Sequence, residues 1–149
     1  MTPELHVERT FDATAEEVFD AWTSPEVLRR WWAPGPDWTT PLVEVDLREG
    51  GRYRLATRNP QSGEVHTVGG EYKEIRRPDR LSYSWAWEDP RFRGDSTVTV
   101  EFHEEEGRTT VVLTHTGLQS DRSYGIHAHG WTEVMNSLER RVFAAADRA

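Results

Sequence analysis

Two histidines and a set of large aromatic side chains hold most of the chemistry this sequence offers. His127 stands four residues before Trp131 and three after Tyr124, so on a helix these three share a face, while His129 is turned elsewhere. An imidazole with an ordinary pKa near neutrality suits acid–base work or hydrogen bonding to a ligand; the plainer use is a ring satisfied by its own surroundings. His115 follows Val111 and Leu113 at two-residue steps, which turns it to the apolar side of a strand. Tyr83, Trp85 and Trp87 alternate with Ser82, Ser84 and Ala86, so they too share a strand face, and Trp131 is placed to meet them from the helix. Trp31 and Trp32 close one end of that arrangement as a lid or a plug. Aromatics of this kind line pockets and fill cores alike.

Other chemistries are missing from the pattern. The chain has no cysteine, which removes disulfides, thiol nucleophiles and thiolate metal sites. No Ser-His-Asp set, HExxH motif or phosphate-binding glycine loop is present; Gly50-Gly51 and Gly69-Gly70 lack the continuation that opens a nucleotide-binding helix. A metal site from His115 and His127 has no diagnostic spacing, so neither metal nor cofactor is expected, and no residue is assigned a catalytic role. Glu44, Asp46 and Glu71 alternate with apolar neighbours near Arg52, Arg54 and Arg58, which reads as a cross-strand ladder of ion pairs on a solvated face. Glu88-Asp89 and Glu104-Glu105-Glu106 read as solvated turn acids.

The elements that must position the aromatics follow from periodicity. The stretch from Ser120 to Ala149 sets Trp131, Val134, Met135, Leu138, Val142 and Ala145 on one helical face, with Glu133, Asn136, Glu139, Arg140 and Asp147 opposite. An amphipathic helix of that length needs a surface to cover, and the remaining chain is mostly strands. Leu5, Val7, Arg9 and Phe11 alternate with polar residues as a first strand. Thr14 with Glu17 forms a capping box ahead of Val18-Phe19-Asp20-Ala21-Trp22, and Pro25 opens a second short helix that Pro34-Gly35-Pro36 ends. From Leu42 the period is two, with Val43, Val45 and Leu47 on one face, turns at Gly50-Gly51, Asn59 to Gly63, Pro78-Asp79 and Gly107, and a bulge or close approach at Gly69-Gly70. One early strand and six later ones, without intervening helices, predict an antiparallel sheet of about seven strands.

At 149 residues the chain is expected to form a single domain, 1–149. Its formal charge of −8, from 18 basic and 26 acidic side chains, argues against nucleic-acid binding. Neither a signal peptide nor a membrane span is found, so a cytoplasmic location is expected.

The motifs Val18-Phe19-Asp20-Ala21-Trp22, Ser24-Pro25-Glu26, Arg30-Trp31-Trp32, Asp46-Leu47-Arg48, Gly50-Gly51, Trp85-Ala86-Trp87-Glu88, Ser96-Thr97-Val98-Thr99-Val100, Leu113-Thr114-His115 and Gly130-Trp131 occur in an order that resembles the bacterial single-domain members of the activator-of-heat-shock-protein-ninety-ATPase homologue family. That family belongs to the START-like, or SRPBCC, superfamily that includes the birch-pollen allergen. The resemblance implies an α+β helix-grip fold, in which a curved antiparallel sheet wraps a long C-terminal helix and encloses a cavity. It also implies binding of a small hydrophobic or aromatic molecule such as a lipid or polyketide. The expected ligand-binding residues are Trp31, Trp32, Tyr83, Trp85, Trp87, His115, Tyr124, His127 and Trp131. A cyclase- or hydrolase-like enzyme using the same cavity, and a protein that regulates a chaperone ATPase, are the alternatives. The latter is set lower, because the eukaryotic activator carries a separate chaperone-docking domain and the first strand here begins within a few residues of Met1. A homodimer stays open.

Overall fold

The computed structural model describes residues 4–33, 35, 37–89 and 94–143. Pro34 and Pro36, expected to end the second short helix, and Ala145 and Asp147, expected on the last helix, lie outside the described residues.

Among the described residues seven strands and three helices follow in the order β1 (Leu5–Phe11), α1 (Ala15–Thr23), α2 (Pro25–Trp31), β2 (Thr39–Val45), β3 (Arg52–Arg58), β4 (Val65–Arg76), β5 (Arg80–Trp87), β6 (Ser96–Glu105), β7 (Arg108–Thr116) and α3 (Asp121–Arg141). All neighbouring strands are antiparallel, in the order β1-β7-β6-β5-β4-β3-β2. β2 to β7 thus form a meander, and only β1 joins out of sequence, beside β7. The sheet curls into a half-barrel, and α3 lies in its grip.

Local chemistry explains most boundaries. Thr14 and Glu17 form the reciprocal capping box that starts α1, and Pro25 occupies the first turn of α2. Ser120 caps α3, its Oγ accepting from the Ser123 N–H at 3.0 Å. Gly50, Gly63 and Gly107 take positive φ at the three tight connections where the sequence places them.

Three details depart from the sequence reading. Leu47 lies beyond β2 and is 41% exposed, because the chain turns after Val45 before the inward row can continue. Glu104 and Glu105 belong to β6, and Glu104 accepts a hydrogen bond from the Ala15 N–H at 2.8 Å, supplying an acceptor to the first turn of α1. Glu88 is paired with Arg54, which also reaches Glu44, so the solvated ladder centres on Arg54. At Gly69-Gly70 the close approach is the operative feature: a Cβ on Gly70 would lie 2.0 Å from the Ser84 carbonyl oxygen, whereas the register shift comes later, between Tyr72 and Glu74.

The C-terminal half of α3 is the anchored half. Trp131, Val134, Met135 and Leu138 are buried against the sheet. Arg9 on β1 donates to Asn136 and pairs with Glu139 at 3.1 Å. Arg30 and Arg141 exchange hydrogen bonds with each other's backbone carbonyls at 3.0 and 3.3 Å, tying α2 to the helix end. The half from Asp121 to Gly130 has no fully buried residue, and there the grip opens.

Candidate functional site

The site is assembled from the ends of three neighbouring strands, β5, β6 and β7, and the middle of α3. β5 turns Trp85 and Trp87 to the inside, and its register sets Ser96 of β6 opposite Trp85, while His115 of β7 faces Val98. From α3, His127 and Trp131 come down one turn apart.

Both indoles of β5 then donate to one imidazole nitrogen: Trp85 Nε1 and Trp87 Nε1 lie 3.2 and 3.0 Å from His127 Nε2. A nitrogen that accepts carries no proton, so His127 is protonated on Nδ1, which donates to the Ser123 carbonyl at 2.8 Å. The deeper ring has the opposite tautomer. His115 Nδ1 accepts from Trp131 Nε1 at 3.0 Å, leaving Nε2–H to donate to Ser96 Oγ at 2.7 Å, and the serine hydroxyl donates to the Trp85 carbonyl at 3.2 Å. The rings pack closely, with centroids 4.9 Å apart for Trp85 and Trp131, 5.0 Å for the two histidines and 5.6 Å for Trp32 and Trp131. Each indole N–H of Trp85, Trp87 and Trp131 has a partner, as a water-poor interior requires.

Neutral imidazoles are what this network needs. Burial, and then the neighbouring His127, pushes His115 down to about 3. Burial lowers His127 as well, opposed in part by its bond to the Ser123 carbonyl. For His127 to accept a proton at Nε2 it must give up both indole bonds, so the arrangement favours a fixed wall over an acid–base centre.

Beside this cluster lies a cleft of about 880 Å³ between the N-terminal half of α3, the segment after β7 and the ends of the central strands. Trp85, Trp87, His127 and Trp131 form its floor, with Trp38, Leu118 and Ile126 among its apolar walls. Ile126 is 51% exposed there. A second, much smaller pocket, lined by Trp22, Trp32, Tyr53, Tyr72 and Tyr83, holds about 10 Å³, room for one water at most. Of the two spaces, the larger by far lies along the N-terminal half of α3.

The structure brings Trp32, Trp85, Trp87, His115, His127 and Trp131 into one cluster, with His115 sealed beneath rather than lining the cleft. It does not bring Trp31, Tyr83 or Tyr124 there. Trp31 is fully buried against Trp22 and Trp32, its Nε1 donating to the Ala21 carbonyl at 2.8 Å. Tyr83 belongs to a second cluster with Tyr53 and Tyr72, and its hydroxyl accepts from Trp22 Nε1 at 3.2 Å. Burial pushes all three phenols up. Tyr124 is half-buried against the core. Trp38, His66, Ser96, Leu118, Arg122 and Ile126 were not anticipated, and His129, expected to be turned elsewhere, also lines the cleft. Of these, Arg122 and Ile126 carried a signal, since they fall four residues apart on the helical face that continues to Gly130. Among the described residues no group of three or more His, Asp or Glu side chains is placed to hold a metal. No described helix is long and apolar enough to cross a membrane.

A curled antiparallel sheet gripping one long C-terminal helix, with two short helices after the first strand, defines the START-like helix-grip class. Within that class the chain belongs to the Activator of Hsp90 ATPase homolog 1-like protein family, whose profile matches residues 12–142. A crystal structure of a Chromobacterium violaceum protein shares the fold at 23% identity, with a TM-score of 0.84 over 95% of this chain and 98% of that one. An AHSA1-like protein from Aeromonas hydrophila is 28% identical, with a TM-score of 0.79 over 97% and 94% of the two chains. A Plasmodium falciparum protein described as an HSP90 activator is 27% identical, with a TM-score of 0.73 over 93% and 95%. Among curated proteins no match was found.

Proposed function

We propose that this chain acts as one ligand-binding domain that reversibly takes up a small apolar or aromatic molecule in the cleft above Trp85, Trp87 and Trp131. The observation that supports this reading is the cleft itself. Its volume of about 880 Å³ falls in the range of roughly 300–1,000 Å³ typical of small-molecule sites. Its aromatic floor has indole and imidazole groups already bonded to one another, so an apolar ligand covers them without breaking a hydrogen bond. Ile126 and the walls gain burial at the same time. A catalytic variant of the reading has less support, because His127 is engaged at both nitrogens.

Native mass spectrometry of the protein from its own cell extract, compared with the denatured mass, tests the proposal. The expected result is a retained apolar small molecule. An empty protein that also binds nothing in a panel of lipids and aromatic metabolites overturns it.

A second reading rests on the likeness to the Plasmodium falciparum HSP90 activator over nearly the full length of both chains. It takes this protein as a regulator of a chaperone ATPase. Adding the purified protein to its cognate chaperone is then expected to raise the ATPase rate, and an unchanged rate across a stoichiometric titration refutes it.

A further inference from the structure

Arg122, Ile126, Gly130 and Val134 recur at four-residue steps along α3, and all four line the cleft. The sequence of chemistries along this stripe is ordered. Arg122 is exposed at the outer end; Ile126 comes next, apolar and half-open to solvent; Gly130 follows, where an added Cβ would meet nothing within 4 Å; Val134 closes the inner end, buried. From Arg122 to Gly130 the helix rises about 12 Å.

The charge census around the cleft points the same way. The chain carries 26 acidic side chains and a net charge of −8, yet among the described residues lining the cleft there is no aspartate or glutamate. Arg9, Arg48, Arg54, Arg76, Arg77 and Arg80 each hold a carboxylate. Arg122 holds none among the described residues, and the other arginines without one do not line the cleft. A guanidinium offers a planar fork matched to a carboxylate.

From these observations we infer that the ligand of the cleft is an amphipathic monoanion about 12 Å long, an apolar body ending in a carboxylate, with Arg122 meeting the charge and Ile126, Trp87 and the space over Gly130 receiving the body. This inference rests on the ligand-binding reading above and deepens it. The carboxylate-free lining removes the repulsion that an acidic protein otherwise presents to such a molecule. The uncovered Ile126 supplies the apolar contact one helical turn from the cation.

The matched pair 1-pyrenebutyrate and 1-pyrenebutanol, followed by energy transfer from the tryptophans, separates the two levels of the claim. Both probes are expected to bind the wild-type protein, the butyrate about three- to fivefold more tightly, the gain of a partly exposed ion pair. Arg122→Gln is expected to abolish that preference by weakening the butyrate more than the butanol, and Arg122→Lys to retain part of it. Gly130→Phe, which fills the space beside the body, is expected to weaken both. Butanol binding with no preference for the butyrate, or an equal loss of both probes in Arg122→Gln, overturns the inference and leaves the cleft reading standing. Failure of both probes to bind overturns both.

Discussion

If buried His115 and half-buried His127 are held neutral, the protein must lose stability in mild acid, above the range in which its carboxylates titrate. His115 has no solvent exposure, and its pKa is pushed down to about 3, against about 6.5 in an unfolded chain. Between those values the unfolded state binds the proton and the folded state does not, so stability rises with pH there. The contribution is fully present above about pH 6.5 and is lost as pH falls, by up to about 1.4 kcal/mol per unit. At pH 5 the loss from His115 is about 2 kcal/mol, and His127, lowered by burial, adds a loss of the same sign. Glu74 and Glu88 are lowered by hydrogen bonds from Arg80 and Arg54, so their contributions are lost from the ordinary carboxylate range downward, mostly below this window. The assay is urea unfolding at pH 7.5 and pH 5.0, read by tryptophan emission, on the wild type and on His115→Gln. Glutamine can still accept from Trp131 and donate to Ser96 but does not titrate in this range. Its pH-dependent loss is expected to be about 2 kcal/mol smaller than that of the wild type. A wild-type stability that is flat between the two pH values, or an identical loss in His115→Gln, refutes the reasoning. So does a native-state NMR titration in which the His115 ring protonates near pH 6.5.

Trp131→Ala is expected to destabilise by about 3–5 kcal/mol in urea unfolding, since it removes a buried indole from between Trp32, Trp85 and His115 and leaves His115 Nδ1 without its donor. Unchanged stability with lost ligand affinity would instead make it a wall residue only. Gly70→Ala drives a Cβ into the Ser84 carbonyl oxygen and is expected to cost about 3 kcal/mol or more, checked by thermal unfolding. Gly125→Ala in α3, where an added Cβ meets nothing within 4 Å, is expected to raise stability by about 0.5–1 kcal/mol in the same measurement. Glu104→Ala leaves the Ala15 N–H without its acceptor and is expected to cost about 1 kcal/mol, with the loss localised to α1 in hydrogen exchange.

Much of the scaffold could be read from residue types over short distances. The capping box at Thr14 and Glu17, the proline that opens α2, the turn glycines at positions 50, 63 and 107, and the two-residue period of the meander each depend on chemistry within a few residues. His115 was legible as inward-facing for the same reason: strand alternation puts it with Val111 and Leu113, all three without solvent exposure. The family motifs extended this to the helix-grip arrangement and the place of α3.

The site was legible only in composition. Tyr83, Trp85 and Trp87 share a strand face, which alternation specifies, yet Tyr83 joins the tyrosine cluster while its two neighbours meet His127. A strand rises about 3.3 Å per residue, so residues on one face of a curled sheet can reach different parts of the interior, and periodicity does not record the curl. Glu104 looked like a turn acid and instead caps a helix 89 residues away, a partnership with no local signature. The cross-strand register that sets Ser96 against Trp85, and the depth to which Trp131 and Trp32 fill the grip, arise from side chains of several elements meshing at once. What the sequence by itself determined is the set of elements, their inward faces and the aromatic character of the interior, because short-range sterics and periodicity dictate them. Which aromatic meets which imidazole, which tautomer each ring holds, and where the larger free volume lies were decided by tertiary packing, because each depends on distances between segments far apart in the chain.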